Sequence, residues 1–435
     1  MENRPTAPLC APTQNPHSGN GAGTAATARR VLGWSGAGFL FAMPFTSSVA
    51  VRNVALGIAL IAALALALRE RGEWPLLPRS VLAAVAFWTI VCTASWLWSI
   101  DPAYTAAELR PELLIPLIAF GVFFVGSRHD AMHIWCTVLL VGTAVLGALA
   151  LGEFALTGAW EPTRLHAGVG AYTTWLVMVF PLLLALAFPG PVLPFKPKAA
   201  PWPVLALLLL LVVGGAFLTR NRMVWLALVV VLVVFSAFYV RSPWLKPGDR
   251  RRLLVAFAAL LVGLIAIFAL AAAYVAYVTP ETPTIQSTLQ KDTRLELWRF
   301  ALDRVAEAPI AGHGFGRGIL RGTLQSTLNN RLLWHGHNVF LNVLLQTGVL
   351  GLAAFLVLLA AFASRFVAYV GARSAELNAI GIIGLAFLAG FLFKNLTDDF
   401  FVRHTGLLFW SMNGMLIGYG ERLFLRMSPV GPAQR

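Results

Sequence analysis

Residues 203–240 read PVLALLLLLVVGGAFLTRNRMVWLALVVVLVVFSAFYV. Two apolar stretches, 203–219 and 222–240, flank a short polar turn that carries two arginines. A helix needs about 20 mostly apolar residues to cross the hydrocarbon core of a bilayer. The pattern therefore predicts two antiparallel helices buried in a membrane, with the turn at one membrane surface.

The composition extends this prediction to the whole chain. Of its 435 residues, 58% are hydrophobic and 12% are charged, whereas soluble domains carry about 25% charged residues. A soluble globular enzyme is excluded, and so is a mainly disordered chain, which would hold far fewer apolar residues. We predict an all-α, polytopic integral membrane protein with about 12 transmembrane helices. They correspond to apolar stretches at 31–48, 53–68, 81–98, 113–126, 131–157, 168–188, 203–219, 222–240, 253–278, 337–363, 378–396 and 404–420.

This pattern divides the chain into five segments. In order, they are a disordered cytoplasmic tail, transmembrane helices one to nine, a large loop on the non-cytoplasmic side, helices ten to twelve and a second cytoplasmic tail, at 1–30, 31–278, 279–336, 337–420 and 421–435. The loop is expected to hold one amphipathic helix, because apolar residues recur at helical spacing between Arg294 and Ala308 and Pro309 follows.

The distribution of basic residues predicts the orientation. More than half of the 33 Lys and Arg residues fall in segments on the same side as the N-terminus. Cytoplasmic loops carry such an excess, so both termini are expected in the cytoplasm. The same bias accounts for much of the net charge of +14 without a nucleic-acid partner. The three cysteines share no short spacing that would indicate a disulfide framework or a zinc site.

Arg220 and Arg222 flank Asn221 in the turn between the two quoted stretches. Arginines at membrane ends often extend harmlessly toward water. Two in a single tight turn on the predicted outer face are more unusual, because that face normally lacks positive charge. A planar guanidinium binds phosphate oxygens with two hydrogen bonds. We therefore interpret the pair as a site for a lipid-linked diphosphate.

A second polar group is His335-Gly336-His337-Asn338, directly before an apolar stretch. His337 would lie at the start of a helix near the membrane surface, where a neutral imidazole can act as general base toward a hydroxyl. Two other interpretations are a polar segment that caps the helix and a metal site with two histidines. The metal interpretation is weak, because such a site needs further ligands.

The loops on this side supply the remaining candidates. Arg294 opens the amphipathic helix, where a cation opposes the helix dipole unless an anionic ligand binds there. His313 and Arg317 belong to a glycine-rich segment, Gly312–Gly318. Asp399 ends the segment Lys394–Asp399, whose paired carboxylates suggest either a divalent cation or ion pairs with the arginines. We favour ion pairs.

These residues resemble the O-antigen ligase family, within the wider group of ligases and O-antigen polymerases. The resemblance lies in the Arg222-to-Leu226 spacing, in 294–298 leading to Pro309 and the glycine-rich segment, and in His337-Asn338 followed by Gly348 and Gly351. The predicted layout, twelve spans with one large periplasmic loop before the tenth, completes the resemblance. One departure is Leu352-Ala353, where ligases often carry Thr-Arg.

The resemblance implies a function and a site. Family members transfer a preassembled glycan from undecaprenyl diphosphate to a sugar hydroxyl of lipid A–core, on the periplasmic face of the bacterial inner membrane, with no metal or other cofactor. It suggests catalytic roles for His337, Arg220, Arg222 and Arg294. Substrate contacts are expected from a second set, namely Asn338, His335, Arg317, His313 and Asp399.

Three alternatives stay open. An O-antigen polymerase uses the same donor with a second lipid-linked glycan as acceptor, and a protein O-oligosaccharyltransferase transfers the glycan to protein. A transporter or flippase for the lipid-linked glycan is more distant. Transporters place ionisable residues near the membrane midplane and contain repeated halves. In this chain the unusual polar residues gather at one surface, and no internal repeat is evident.

Overall fold

The computed structural model describes residues 19–69, 76–158, 160, 168–188, 193–194, 202–278, 293–327, 329 and 335–427. Across these residues the regular structure is helical, and no strand occurs. The helices are α1 (Gly19–Ala42), α2 (Val49–Arg69), α3 (Arg79–Ala94), α4 (Pro102–Leu109), α5 (Ile115–Gly126), α6 (His129–Thr157), α7 (Val169–Ala187), α8 (Trp202–Leu218), α9 (Arg222–Tyr239), α10 (Pro247–Val278), α11 (Thr293–Glu307), α12 (Arg321–Thr327), α13 (Val339–Val370), α14 (Ala375–Lys394) and α15 (Arg403–Met427).

The all-α, polytopic membrane fold is confirmed. Within the described ranges, nine helical segments are long and apolar enough to cross a membrane. Three further predicted spans coincide with α1, α8 and α15. Helix α8 is apolar but shorter than the nine, and α1 and α15 are long but less apolar. The total of twelve spans therefore stays a prediction, supported by twelve helical segments at the expected places.

Several boundaries differ from the sequence-based expectation. Helix α1 begins at Gly19, so the segment 19–30 is helical where a disordered tail was expected, because its alanines favour helix. The fourth span begins at Pro102 rather than 113. A π-helical turn, Arg110–Leu114, lets the helix continue past Pro111. Helix α15 runs beyond 420 to Met427, and residues 1–18 and 428–435 lie outside the described residues.

Small residues allow the central helices to approach closely. Helix α15 packs along α5. Gly414 and Gly418 lie directly against the backbone of Phe120 and Phe124, where a β-carbon would overlap the carbonyl groups. Lipid tails are as apolar as leucine, so helices in a membrane associate through such close packing. Helix α14 packs against α7, α9 and α13, which brings the quoted hairpin next to the C-terminal helices.

A break in α13 positions the loop that precedes it. Gly348 has φ of +62° inside the helix, a conformation that only glycine adopts readily. The break frees the carbonyl groups of Leu345 and Gln346, which accept hydrogen bonds from the amides of His313 at 3.0 Å and Gly314 at 2.8 Å. The glycine-rich loop is therefore fixed against the first turns of α13.

Candidate active site

Hydrogen bonds to three separate helices hold the glycine-rich segment Gly312–Gly318. Its residues Gly312, Gly314 and Gly316 all have positive φ. The amide of Gly316 donates to Oε1 of Gln346 at 2.8 Å, and the amide of Gly318 donates to the hydroxyl of Tyr104 at 2.9 Å. The amide of Phe315 donates to the Ser95 hydroxyl at 2.9 Å. This network fixes the backbone on both sides of Arg317.

The Arg317 guanidinium is the centre of a charged cluster. Its Nη2 donates to Nε2 of His335 at 2.8 Å, and its Nε lies 3.4 Å from Oδ2 of Asp399. It also lies over the ring of Phe400, 5.5 Å from the centroid. An arginine only donates, so Nε2 of His335 accepts from Arg317, while Nδ1 of His335 lies 3.1 Å from the backbone amide of His337. Burial, reinforced by the Arg317 charge, lowers the pKa of His335 and keeps the ring neutral.

Asp399 is almost fully buried and connects this cluster to α13. Its Oδ2 accepts from the amide of Asn342 at 2.6 Å, in addition to facing Arg317. Burial raises the pKa of the Asp399 carboxyl, while the Arg317 charge and the backbone amide of Phe401 lower it. The predicted ion pair between the Asp398–Asp399 segment and an arginine is therefore present, with Arg317 as the partner.

His337 lies beside this cluster at the entrance to α13. Its backbone has φ of +45°, an unusual value for a residue with a side chain. The His337 ring lies against the His335 ring, with 3.9 Å between centroids. Its Nδ1 is buried and 3.9 Å from Oδ1 of Asp398. Because 23% of the side chain is exposed while Nδ1 is buried, the ring can present only Nε2 to a substrate.

Asp398 is itself held by a buried cation. Nζ of Lys394, a side chain with no exposed surface, lies 2.5 Å from Oδ2 of Asp398, four residues further along the chain and beyond the end of α14. The two oxygens of this carboxylate therefore face different partners, Lys394 and His337. The sequence analysis considered Asp398 as a cation ligand or an ion-pair partner of the arginines, and it assigned Lys394 no role. The pairing of Lys394 with Asp398 depends on the chain turning back after α14, which no helical spacing indicates.

A cleft opens between the cluster and the π-helical turn of the fourth span. It encloses about 420 Å³, including open solvent, and we call it the Glu112 cleft. Its lining includes Glu112, Arg317, Gln346 and Asp399 among apolar side chains. Oε2 of Glu112 accepts from the backbone amide of Arg403 at 2.8 Å. The sequence analysis did not single out Glu112, although an acidic residue directly before an apolar stretch was an available signal of a functional site.

Two residues that were predicted to contact substrate have side chains that form hydrogen bonds within the protein. The Asn338 side-chain oxygen accepts from the amides of Phe340 and Leu341, and its Nδ2 donates to the carbonyl of Leu396. This is the helix-capping role considered as an alternative for the His335–Asn338 segment. The buried His313 donates through Nε2 to the carbonyl of Arg304 at 2.9 Å. Both side chains therefore support the structure of the site, and their contact with substrate stays a prediction.

Arg220 and Arg222 lie in a different recess from Arg317. They line about 340 Å³ together with aromatic side chains from α8, α9 and α10. Their turn is connected to the cluster through α7. Asn221 donates to the Thr173 hydroxyl at 3.3 Å, and Phe400 packs directly on the backbone of Gly170. Arg294 lies in the first turn of α11, and its side chain is outside the described residues.

The helical fold and this charged cluster define a polytopic membrane protein with a polar site at one end of its helices. Residues 206–356 match the O-antigen ligase family. The chain is also 28% identical over 267 residues to the O-antigen ligase of Pseudomonas aeruginosa, a match that covers 59% of this chain and 57% of the relative. The resemblance to this family is thus confirmed, and the chain matches just over half the length of this relative.

Proposed function

We propose that this protein transfers a preassembled O-antigen glycan from undecaprenyl diphosphate to a sugar hydroxyl of lipid A–core at the periplasmic face of the inner membrane. The observation that carries the proposal is the position of His337. It stands at a helix entrance with Asp398 facing its buried Nδ1, beside the Arg317–Asp399 pair. His337 and Arg317 lie within the stretch that matches the O-antigen ligase family, and Asp398 and Asp399 lie beyond its end.

In this proposal His337 is the general base. A sugar hydroxyl is a poor nucleophile, and removal of its proton as the new bond forms contributes about 10²–10⁴ in rate. Nε2 accepts the proton, and the Asp398 carboxylate then faces an imidazolium. At 3.9 Å this is a charge interaction rather than a hydrogen bond, and it stabilises the cation that forms. Lys394 holds the carboxylate in place.

The arginines stabilise the leaving group. A diphosphate needs charge stabilisation more than a proton, and guanidinium groups supply it where the charge develops. We assign this role to Arg220, Arg222 and Arg294, and we now add Arg317, which faces the Glu112 cleft. Asp399 offsets part of the Arg317 charge and fixes its direction. We assign a single displacement, since none of these carboxylates is placed as a covalent nucleophile.

No metal or other cofactor enters this mechanism. Among the residues that the structure describes, no group of three or more His, Cys, Asp and Glu side chains is arranged to hold a metal ion. The independence from metal rests on the chemistry above and stays a prediction. Holding two lipid-anchored substrates in one groove removes much of the orientational entropy of the reaction.

The test is reconstitution of the purified protein with a diphosphate-linked glycan donor and lipid A–core, in the presence of a chelator. We expect covalent transfer to lipid A–core, and His337→Ala should lower its rate by at least about 10² with donor binding nearly intact. Loss of donor binding together with turnover would contradict the role as base. A useful second variant is Asp398→Asn, which keeps the shape but removes the charge facing Nδ1.

The acceptor separates this function from its nearest alternative. Lengthening of the donor glycan, without transfer to lipid A–core, would identify a polymerase. If the chelator inhibits the reaction and added divalent cation restores it, Asp398 and Asp399 would again be candidate metal ligands. Full donor affinity in both Arg220→Ala and Arg222→Ala would remove these two residues from the proposed clamp.

A further inference from the structure

A second group of basic side chains surrounds a cavity at the other end of the helices. The cavity has two lobes of about 780 and about 1030 Å³, including open solvent. Both lobes are lined by Arg29 and Arg128, and we call them together the basic cavity. Its five arginines come from α1, the α5–α6 turn and α15, and are Arg29, Arg30, Arg128, Arg422 and Arg426.

Two helices show that the basic cavity lies far from His337. The span Pro102–Gly126 has Tyr104 bonded to the glycine-rich segment near its start and Gly126 in the cavity wall at its end. Its 25 residues cover about 37 Å at 1.5 Å per residue. Helix α15 likewise begins with Arg403, bonded to Glu112, and places Arg426 in the cavity. The basic cavity therefore opens at the opposite membrane face.

Hydrogen bonds hold several side chains of the cavity lining in fixed positions. Nη2 of Arg422 donates to the carbonyl of Val125 at 2.6 Å, which holds this guanidinium on the α5–α6 turn. His129 Nδ1 lies 3.3 Å from the hydroxyl of Tyr419, which donates to Glu376. Asp130 is the acid that lines both lobes, so positive charge dominates in the described lining. These contacts form a concave surface for an anion.

The rim of the cavity is suited to lipid. The lobe nearest α1 also contains Leu32, Leu66 and Ile134, and Trp34 there is 66% exposed. Tryptophan prefers the membrane–water interface, where its ring meets both acyl chains and headgroups. The positive-inside bias alone explains basic residues spread over this face. It does not explain why arginines distant in sequence converge on one recess with an apolar edge.

We propose that the basic cavity binds the phosphate group of an anionic phospholipid, with the acyl chains lying along the exposed ring of Trp34. Guanidinium groups bind phosphate oxygens in pairs, and basic recesses between transmembrane helices on this face suit lipid headgroups. The helix α6 begins at His129 without a side-chain cap, so its dipole adds to the attraction. Free phosphate shares this headgroup chemistry and is separated by the test below.

The test measures lipid binding to the full-length protein in detergent by native mass spectrometry. Phosphatidylglycerol and phosphatidylcholine with the same acyl chains are titrated separately. The variant Arg30→Gln/Arg426→Gln removes one charge from each lobe. The matched control, Arg251→Gln/Arg252→Gln, removes two exposed charges at the start of α10, outside the cavity lining. Ser242, close before α10, bonds to Asn378 at the start of α14, so the control lies on the same face.

We expect phosphatidylglycerol to bind the unmodified protein better than phosphatidylcholine, and the cavity variant to lose at least about tenfold in affinity. The control variant should lose less than about threefold, and Arg30→Lys/Arg426→Lys should lose less than the glutamine variant but more than the control, because lysine keeps the charge without the paired hydrogen bonds. Equal losses in the cavity variant and the control would overturn the proposal in favour of general surface charge. Inorganic phosphate that binds as tightly as the lipid, and displaces it, would overturn the assignment to a phospholipid.

Discussion

Replacement of Asp399 by asparagine tests how the glycine-rich segment is held. The variant keeps the shape of the side chain but removes the charge that faces Arg317 at 3.4 Å and accepts from Asn342 at 2.6 Å. A hydrogen bond to a charged group contributes about 1.5–3 kcal/mol. Breaking a buried ion pair from one side costs about 3–5 kcal/mol. Because 12% of the Arg317 side chain is exposed, we expect about 3 kcal/mol.

This loss should appear as local opening of the segment. At about 1.4 kcal/mol for each factor of ten, the open fraction rises about 10²-fold. Hydrogen exchange of the amides of Gly314, Phe315, Gly316 and Gly318 measures that fraction directly. The matched control is Glu307→Gln, which breaks the more exposed Arg304–Glu307 pair in the same loop. Such a pair contributes well under about 1 kcal/mol, so its effect should stay within a few-fold.

Unchanged exchange in Asp399→Asn would refute the reasoning, because the buried pair would then contribute nothing to the position of Arg317. Equal acceleration in Glu307→Gln would also refute it, since burial would no longer distinguish the two ion pairs. Unfolding of the whole protein is recognised by faster exchange throughout α5 and α15 as well as in the segment. The transfer rate, measured in the same preparation, then reports whether the position of Arg317 matters for turnover.

Three further outcomes follow from local geometry. Gly348→Ala should lower the melting temperature by several degrees or prevent folding, because the added β-carbon would overlap the Ile310 carbonyl group. The control Gly322→Ala should leave the melting temperature nearly unchanged, because the space around Gly322 is open. At pH values below about 6.5, the stability of the loop should decrease by up to about 1.4 kcal/mol per pH unit, because His335 stays neutral in the folded protein but binds a proton in the unfolded chain. The variant His335→Asn should reduce this pH dependence in hydrogen-exchange measurements. Arg365→Gln should cost about 2–4 kcal/mol in unfolding free energy, because Glu421 loses a partly buried partner at two atoms.

The helices were predictable because their signal is local. Apolar stretches of sufficient length specify each span by themselves, as residues 203–240 illustrate. Their ends were less predictable. The sequence shows Pro111 as a helix breaker, while the structure absorbs it in a π-helical turn that also directs Glu112 to the cleft. The spacing of Gly348 and Gly351 was recognisable as a motif, but its physical reason, a helix break that receives the loop, depends on contacts between distant segments.

The candidate site, like the fold, was predictable only in part. His337, His335, Arg317 and Asp399 were all predicted as site residues, because polar side chains beside membrane spans are energetically costly and often functional; the structure brings them together, and their roles stay predictions. An ion pair between the carboxylates and an arginine was expected, but not that Arg317 is the partner of Asp399, since the two residues are far apart in the chain. The sequence did not show that the side chains of Asn338 and His313 bond to backbone groups, because a residue that bonds to backbone and one that bonds to substrate have the same side-chain chemistry.

The helix break at Gly348 connects the helical fold to the candidate active site. An unbroken α13 would satisfy the carbonyl groups of Leu345 and Gln346 within the helix. The break offers them to the loop, and Gln346 adds its side chain to the amide of Gly316. Arg317 then meets Asp399, which also binds Asn342 on the same helix. One glycine in an apolar span thus lets a polar loop dock at the membrane surface without leaving buried backbone groups unsatisfied, which is the condition for charged chemistry at that depth.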